Sequence, residues 1–173
     1  LRNSLSVPKL LYVLRTSACA GHPLLQTFDD ILRSGLSDIL NVSITDDQWL
    51  QASLPVRHGG LGVRSVVRLA SSAFLASAAG SIPYLVQILP ERVADQQDNL
   101  IESTIDMWKL DSNSDPPMEA GAHVQKYWDE KVINKSKSYL FDHATDDYHK
   151  ARLLATQSIS AGDWLNALPL SSI

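Results

Sequence analysis

The stretch Leu54-Pro55-Val56-Arg57-His58-Gly59-Gly60-Leu61-Gly62-Val63-Arg64-Ser65 interrupts an otherwise helix-forming sequence with three glycines in four residues. Glycine accepts positive φ and close backbone approach at little steric cost. Gly59, Gly60 and Gly62 therefore read as a tight, shaped connection between two packed units. Ser65 then heads an apolar run in the manner of a helix cap. Arg57, His58, Arg64 and Arg68 gather three cations and one titratable ring at this turn and on the helix after it, a set able to hold a phosphate backbone.

Outward from the turn, helical periodicity dominates. Upstream, Leu24, Leu25, Phe28, Ile31, Leu32, Leu36, Ile39 and Leu40 recur at three- and four-residue spacing. They predict one amphipathic helix from about residue 23 to 41. Leu5 to Ala18 predicts another, with Pro8 in its first turn, where a missing amide donor costs little. Thr45-Asp46-Asp47-Gln48 has the make-up of a helix start, a cap followed by acids at the positive end of the helix dipole. Downstream, Ser65 to Ala79 reads as an alanine-rich buried helix on which Arg64, Arg68, Ser71 and Ser72 share one face. A short helix is expected from Pro83 to Leu89, closed by Pro90, with others over about 94–110, 119–141 and 145–157, the last capped by Thr145. Asp111-Ser112-Asn113-Ser114-Asp115-Pro116-Pro117 reads as a linker or surface loop, and Trp164 to Pro169 as a short apolar end. Neither an internal repeat nor a long β-alternation is present, so the fold class is mainly α with little or no sheet.

A chain of 173 residues with 45% hydrophobic and 20% charged residues has a globular composition, large enough for one ordinary core or two small ones. No apolar run reads as approaching the roughly 20 residues needed to span a bilayer. The first residues lack the pattern of a secretory signal and read as a cut from a longer polypeptide. Cys19 alone makes no internal disulfide, so a reducing, intracellular setting is the default. Net charge −4 argues against a generically basic nucleic-acid binder, but the charge is uneven. Residues 1–80 hold seven Lys/Arg against five Asp/Glu, and residues 81–173 hold eight against fourteen. Such asymmetry fits a basic first half facing an anion and an acidic second half facing water or protein, although an ordinary mixed surface gives the same totals.

Three acidic pairs invite a metal-site reading. Asp29-Asp30 lies inside the amphipathic helix and reads as solvated surface, while Asp46-Asp47 and Asp146-Asp147 follow threonines at helix starts, where capping explains them. A two-metal polymerase site needs carboxylates from separate elements converging on ions about 4 Å apart. The run from Asp142 to His149 has metal-donor types without a recognised ligand spacing. Gly59-Gly60-Leu61-Gly62 is neither a phosphate loop with a following Lys-Ser/Thr nor a G-x-G-x-x-G turn. The four tryptophans fall at apolar helical positions or helix ends, as core residues do.

Several segments taken together resemble the C-terminal part of LINE-type (non-LTR) retrotransposon reverse transcriptases. Val7-Pro8-Lys9-Leu10-Leu11-Tyr12-Val13-Leu14-Arg15-Thr16-Ser17 is similar to the helix after the polymerase palm, and Phe28-Asp29-Asp30-Ile31-Leu32 to a thumb helix. Trp49 to Pro55, then Gly59 to Val63, then the alanine-rich helix, resemble the segment that closes the thumb. Ala151-Arg152-Leu153-Leu154-Ala155 and Ala161 to Pro169 resemble the stretch before a cysteine/histidine motif. The family's aromatic-x-Asp-Asp motif has no counterpart: Ile44 stands two before Asp46, and Ala144 two before Asp146.

The resemblance implies a helical thumb-like region over residues 1–80, including the glycine turn, and a smaller acidic helical region after the thumb over 81–173. It implies a fragment of an RNA-directed DNA polymerase that positions a template–primer duplex without a catalytic site. No cofactor is expected in this chain, whereas the parent polymerase would use Mg²⁺. The partners implied are the RNA/DNA template–primer duplex and the parent's palm and fingers, with no membrane, and a nuclear location if the chain acts within that protein. Lys9, Arg15, Arg57, His58, Arg64 and Arg68 are the expected backbone contacts, positioning without reading sequence. The alternatives are a non-catalytic helical protein-interaction module or a decayed retroelement remnant.

Overall fold

The structure, a computed structural model, describes residues 6–88 and 91–165, and within them it is helical with no strand. Eight α-helices follow one another: α1 (Leu11–Thr16), α2 (Pro23–Leu40), α3 (Asp46–Ser53), α4 (Val66–Ile88), α5 (Glu91–Ser112), α6 (Glu119–Ala122), α7 (Gln125–Asp142) and α8 (Asp147–Thr156). Single 3₁₀ turns lie at Val7–Lys9, Val56–His58 and Asp163–Leu165. The mainly α reading therefore holds.

Local chemistry sets most of the boundaries. Pro23 opens α2, and Asn41, in the left-handed conformation at φ 54°, closes it. A capping box opens α3: Thr45 Oγ1 accepts from the Gln48 amide while the Gln48 side chain accepts from the Thr45 amide. Four expectations are corrected. Leu5–Ala18 yields the Val7–Lys9 turn, with Pro8 in it, and then the six-residue α1. α4 continues through Pro83, which forfeits one amide donor near the end of a long helix and does not terminate it. The 119–141 helix is split at Val124, whose backbone is extended (ψ 104°), and the Ala122 carbonyl accepts the Trp128 indole N–H across the break. Asp146, not Thr145, caps α8, its carboxylate accepting the His149 amide at 2.6 Å. Leu89, Pro90 and the residues after Leu165 lie outside the described segments.

Two helices organise the core. Val7, Leu14, Leu25, Val66, Leu69, Ala70 and Ala73 join α1 and α2 to α4, the alanines allowing close approach. Leu75, Ala76, Trp108, Trp128 and Val132 join α4 to α5 and α7, with the two indoles edge-to-face at 4.9 Å. Leu50, Leu54, Ile133, Leu140 and Leu153 join α3 and α8 to α7. The division between residues 80 and 81 falls inside α4, which packs on helices from both sides of it. Trp108 and Trp128 are core residues as expected, while Trp164 is largely exposed. One correction concerns length: Val66–Leu85 is long and apolar enough to cross a membrane by length and composition, and here it lies against α1, α2, α5 and α7.

Candidate nucleic-acid interface

The glycine turn is built onto the end of α3. The Leu61 amide donates to the Ala52 carbonyl at 3.1 Å and the Gly62 amide to the Leu54 carbonyl at 2.9 Å. These two amides satisfy carbonyls that a helix end leaves unpaired, while those of Gly59 and Gly60 turn back onto the Val56 and Pro55 carbonyls. Gly59 and Gly62 hold φ of 84° and 72°. Gly60 is confined differently: a Cβ there would meet the Leu54 carbonyl oxygen at 2.1 Å. Leu54, Val63 and Ser65 are buried, so the turn carries the chain from α3 into the core and on to α4.

The cations around the turn converge on one helix. Arg64 reaches Asp129 of α7 with both terminal nitrogens, at 3.0 and 2.6 Å. Arg57 and His58 each lie 3.7 Å from Glu130. Arg57 Nε also donates to His58 Nε2 at 3.0 Å, which requires that nitrogen to be unprotonated. Burial holds the His58 imidazole below its ordinary pKa, with Lys137 and Arg57 adding to the effect. Arg68 Nη1 donates to Ser136 at 3.4 Å, and Arg15 donates to Gln125 at the first turn of α7. Five of the six expected contacts are therefore gathered along α7 between Gln125 and Ser136. The sixth, Lys9, is exposed in the turn before α1. Arg64 and Asp129 are 21% and 15% exposed, so this arginine is committed to holding the start of α4 on α7.

Sequence reasoning passed over the lysines of α7 itself. Lys126, Lys131 and Lys135 are exposed and Lys137 half-buried, Lys131 and Lys135 on one flank of the core residues Trp128, Val132, Ile133 and Leu140 and Lys126 and Lys137 on the other. Lys135 also donates to the Leu110 carbonyl in the last turn of α5, the negative end of that helix. Averaging charge over residues 81–173 concealed this run, because the acids of the second half are concentrated in other segments. The signal available was the four-residue spacing of Lys131 and Lys135. Arg68 and Lys135 share a cleft of about 270 Å³ with Asp46, Asp47 and Asp111.

Asp29 is the clearest departure from expectation. Instead of facing solvent, it is 2% exposed and caps α4 from α2. Its carboxylate accepts from the Val66 amide at 2.9 Å, the Val67 amide at 3.4 Å and the Ser65 hydroxyl at 2.5 Å, while Ser65 Oγ accepts the Arg68 amide. Burial pushes the Asp29 carboxyl above its ordinary pKa, and the three donors pull it back. Asp30 is exposed and accepts from Gln26. Among the described residues no three His, Cys, Asp or Glu side chains are gathered as a metal site. Comparison with family models, with curated proteins and with solved structures finds no match to this chain.

Proposed function

We propose that the chain is the thumb-like and following part of a non-LTR retroelement RNA-directed DNA polymerase, a non-catalytic element that steers the template–primer duplex beside the parent's palm and fingers. One observation carries the reading beyond the resemblance. Lys126, Lys131, Lys135 and Lys137 of α7, with Arg15, Arg57, Arg64 and Arg68 docked on it, set eight cations against Asp129 and Glu130 on the helix and Asp46, Asp47 and Asp111 across the Arg68–Lys135 cleft. From Gln125 to Lys137 the helix is about 18 Å long, enough to follow several phosphates of one strand. The exposed lysines are the contacts, and the arginines hold the platform while adding to its field.

The test is anisotropy of a labelled RNA–DNA hybrid titrated with the full chain over a range of salt. Weak, sequence-independent binding is expected, with log K falling as log salt rises by about 0.9 for each phosphate neutralised, taking the B-DNA value as a guide. Replacing the exposed Lys126 and Lys131 with Glu flattens that slope by roughly two contacts and leaves thermal unfolding near the parent's. Salt-independent binding, or a slope that the double variant does not alter, would falsify the proposal.

A further inference from the structure

The apolar face of α2 is wider than the part of it that the core covers. Leu25, Leu32 and Leu36 are buried, whereas Leu24, Ile31 and Ile39 are 68%, 65% and 67% exposed. At about 100° per residue these three fall with Gly35 on a single stripe roughly 22 Å long. Gly35 has open space where a Cβ would stand, so a neighbouring backbone can come close at the centre of the stripe. A shallow trough of about 560 Å³, whose lining includes Asp30, Ser34, Ser37 and Asp38, borders the stripe at Asp38 and has Asp30 on its far side. Its one cation, Arg33, is already spent: it donates to the Ile44 carbonyl at 3.1 Å and to Asp46 at 2.6 Å. The trough therefore offers two exposed carboxylates, and no ion pair engages either among the described residues.

We infer that the outer face of α2 is a docking surface for an amphipathic helix with basic flanks, whose apolar side chains cover Leu24, Ile31 and Ile39 and whose lysines or arginines enter the Asp30–Asp38 trough. The charge selects this occupant. Two exposed carboxylates, without an ion pair among the described residues and in a trough bordering an apolar stripe, complement a cationic partner. The surface is separate from the α7 lysines, so it stands whether or not the chain binds a duplex.

The test uses two synthetic amphipathic peptides about as long as α2, with identical leucine stripes and either lysine or glutamate flanks, titrated by calorimetry against the full chain. The lysine peptide is expected to bind at least about tenfold more tightly than the glutamate peptide. Ile31→Gln with Ile39→Gln should weaken it at least about tenfold, and Asp30→Asn with Asp38→Asn about fivefold, with a flatter salt dependence. All four side chains are exposed, so unchanged thermal unfolding of both variants is required for the comparison. Equal binding of the two peptides overturns the inference, as does lysine-peptide binding that neither variant weakens. A concentration-dependent dimer in ultracentrifugation that Ile31→Gln abolishes also overturns it, because the face then belongs to a second copy.

Discussion

Arg64→Ala tests whether the basic residues at the glycine turn stabilise the fold or serve a ligand. Arg64 and Asp129 form a two-point, charge-assisted contact, and their side chains retain 21% and 15% of their exposure. Deleting one member of a fully buried pair costs about 3–5 kcal/mol, because the other charge is left without compensation. Residual exposure screens part of that, so about 2–3 kcal/mol is expected here. For a chain of this size each kcal/mol moves the melting temperature by roughly 2–4 °C, giving a fall of about 5–10 °C. The assay is a double-mutant cycle of parent, Arg64→Ala, Asp129→Ala and the double variant, followed by urea unfolding at neutral pH. A coupling of about 1–3 kcal/mol is expected, and Arg64→Met with Asp129→Leu should recover much of the loss by replacing charge with packing. Hybrid binding by Arg64→Ala, measured well below its melting temperature, should keep nearly the parent's salt slope. A single variant within about 0.5 kcal/mol of the parent, or a coupling near zero, would refute the reasoning and free Arg64 for a ligand.

Three further outcomes are expected. His58 has its pKa lowered from 6.5 by burial first and by Lys137 and Arg57 next. The unfolded chain therefore binds the extra proton more readily, and stability is complete above 6.5 and lost as pH falls through the window below it. Urea midpoints at about pH 7.5 and about pH 5 should differ less in His58→Gln than in the parent. Gly60→Val forces a side chain onto the Leu54 carbonyl and should cost about 3 kcal/mol or more, whereas Gly62→Val meets mainly the strain of φ 72°, about 1–3 kcal/mol. Parent-like melting of both would show that the turn has room to relax. Asp29→Ala removes the acceptor for the Val66 and Val67 amides and should cost about 2–3 kcal/mol. Hydrogen exchange should then quicken first at the start of α4, and unchanged exchange there would contradict the capping role.

The helical class and most helix starts were legible because they rest on local rules. Thr45 and the acids after it mark the start of α3, and the Gly21-His22-Pro23 break marks that of α2. Of the eight-residue apolar stripe on α2, however, Leu24, Ile31, Ile39 and Leu40 are exposed and Leu25, Leu32 and Leu36 buried. What was hidden depends on contacts distant in sequence. Asp29 reads as surface because its neighbours on α2 are polar, yet Ser65 and the α4 amides, 36 and more residues away, convert it into a cap. The stop expected before Pro83 failed because a core helix packed on several sides tolerates the loss of one hydrogen bond. The cations at the turn are visible in the sequence, but their destination on α7 depends on residues 57–68 folding against residues 125–136. Charge totals over halves of a chain carry no such information.

The position of α4 in the chain has a consequence for biosynthesis. Its apolar segment is complete at about residue 85, but α7, one of the helices that cover it, ends only at Asp142. At typical translation rates of about 5–20 residues per second, roughly 3–11 s pass between these events. At the start of that interval the chain carries a helix long and apolar enough to cross a membrane, with α1 and α2 available to cover it. Helix α5 follows at Ser112, and α7 comes last. The nascent chain therefore depends on early docking of α1 and α2, or on a chaperone, to avoid misrouting or aggregation. Variants that loosen the Asp29 cap should suffer in yield out of proportion to their equilibrium stability.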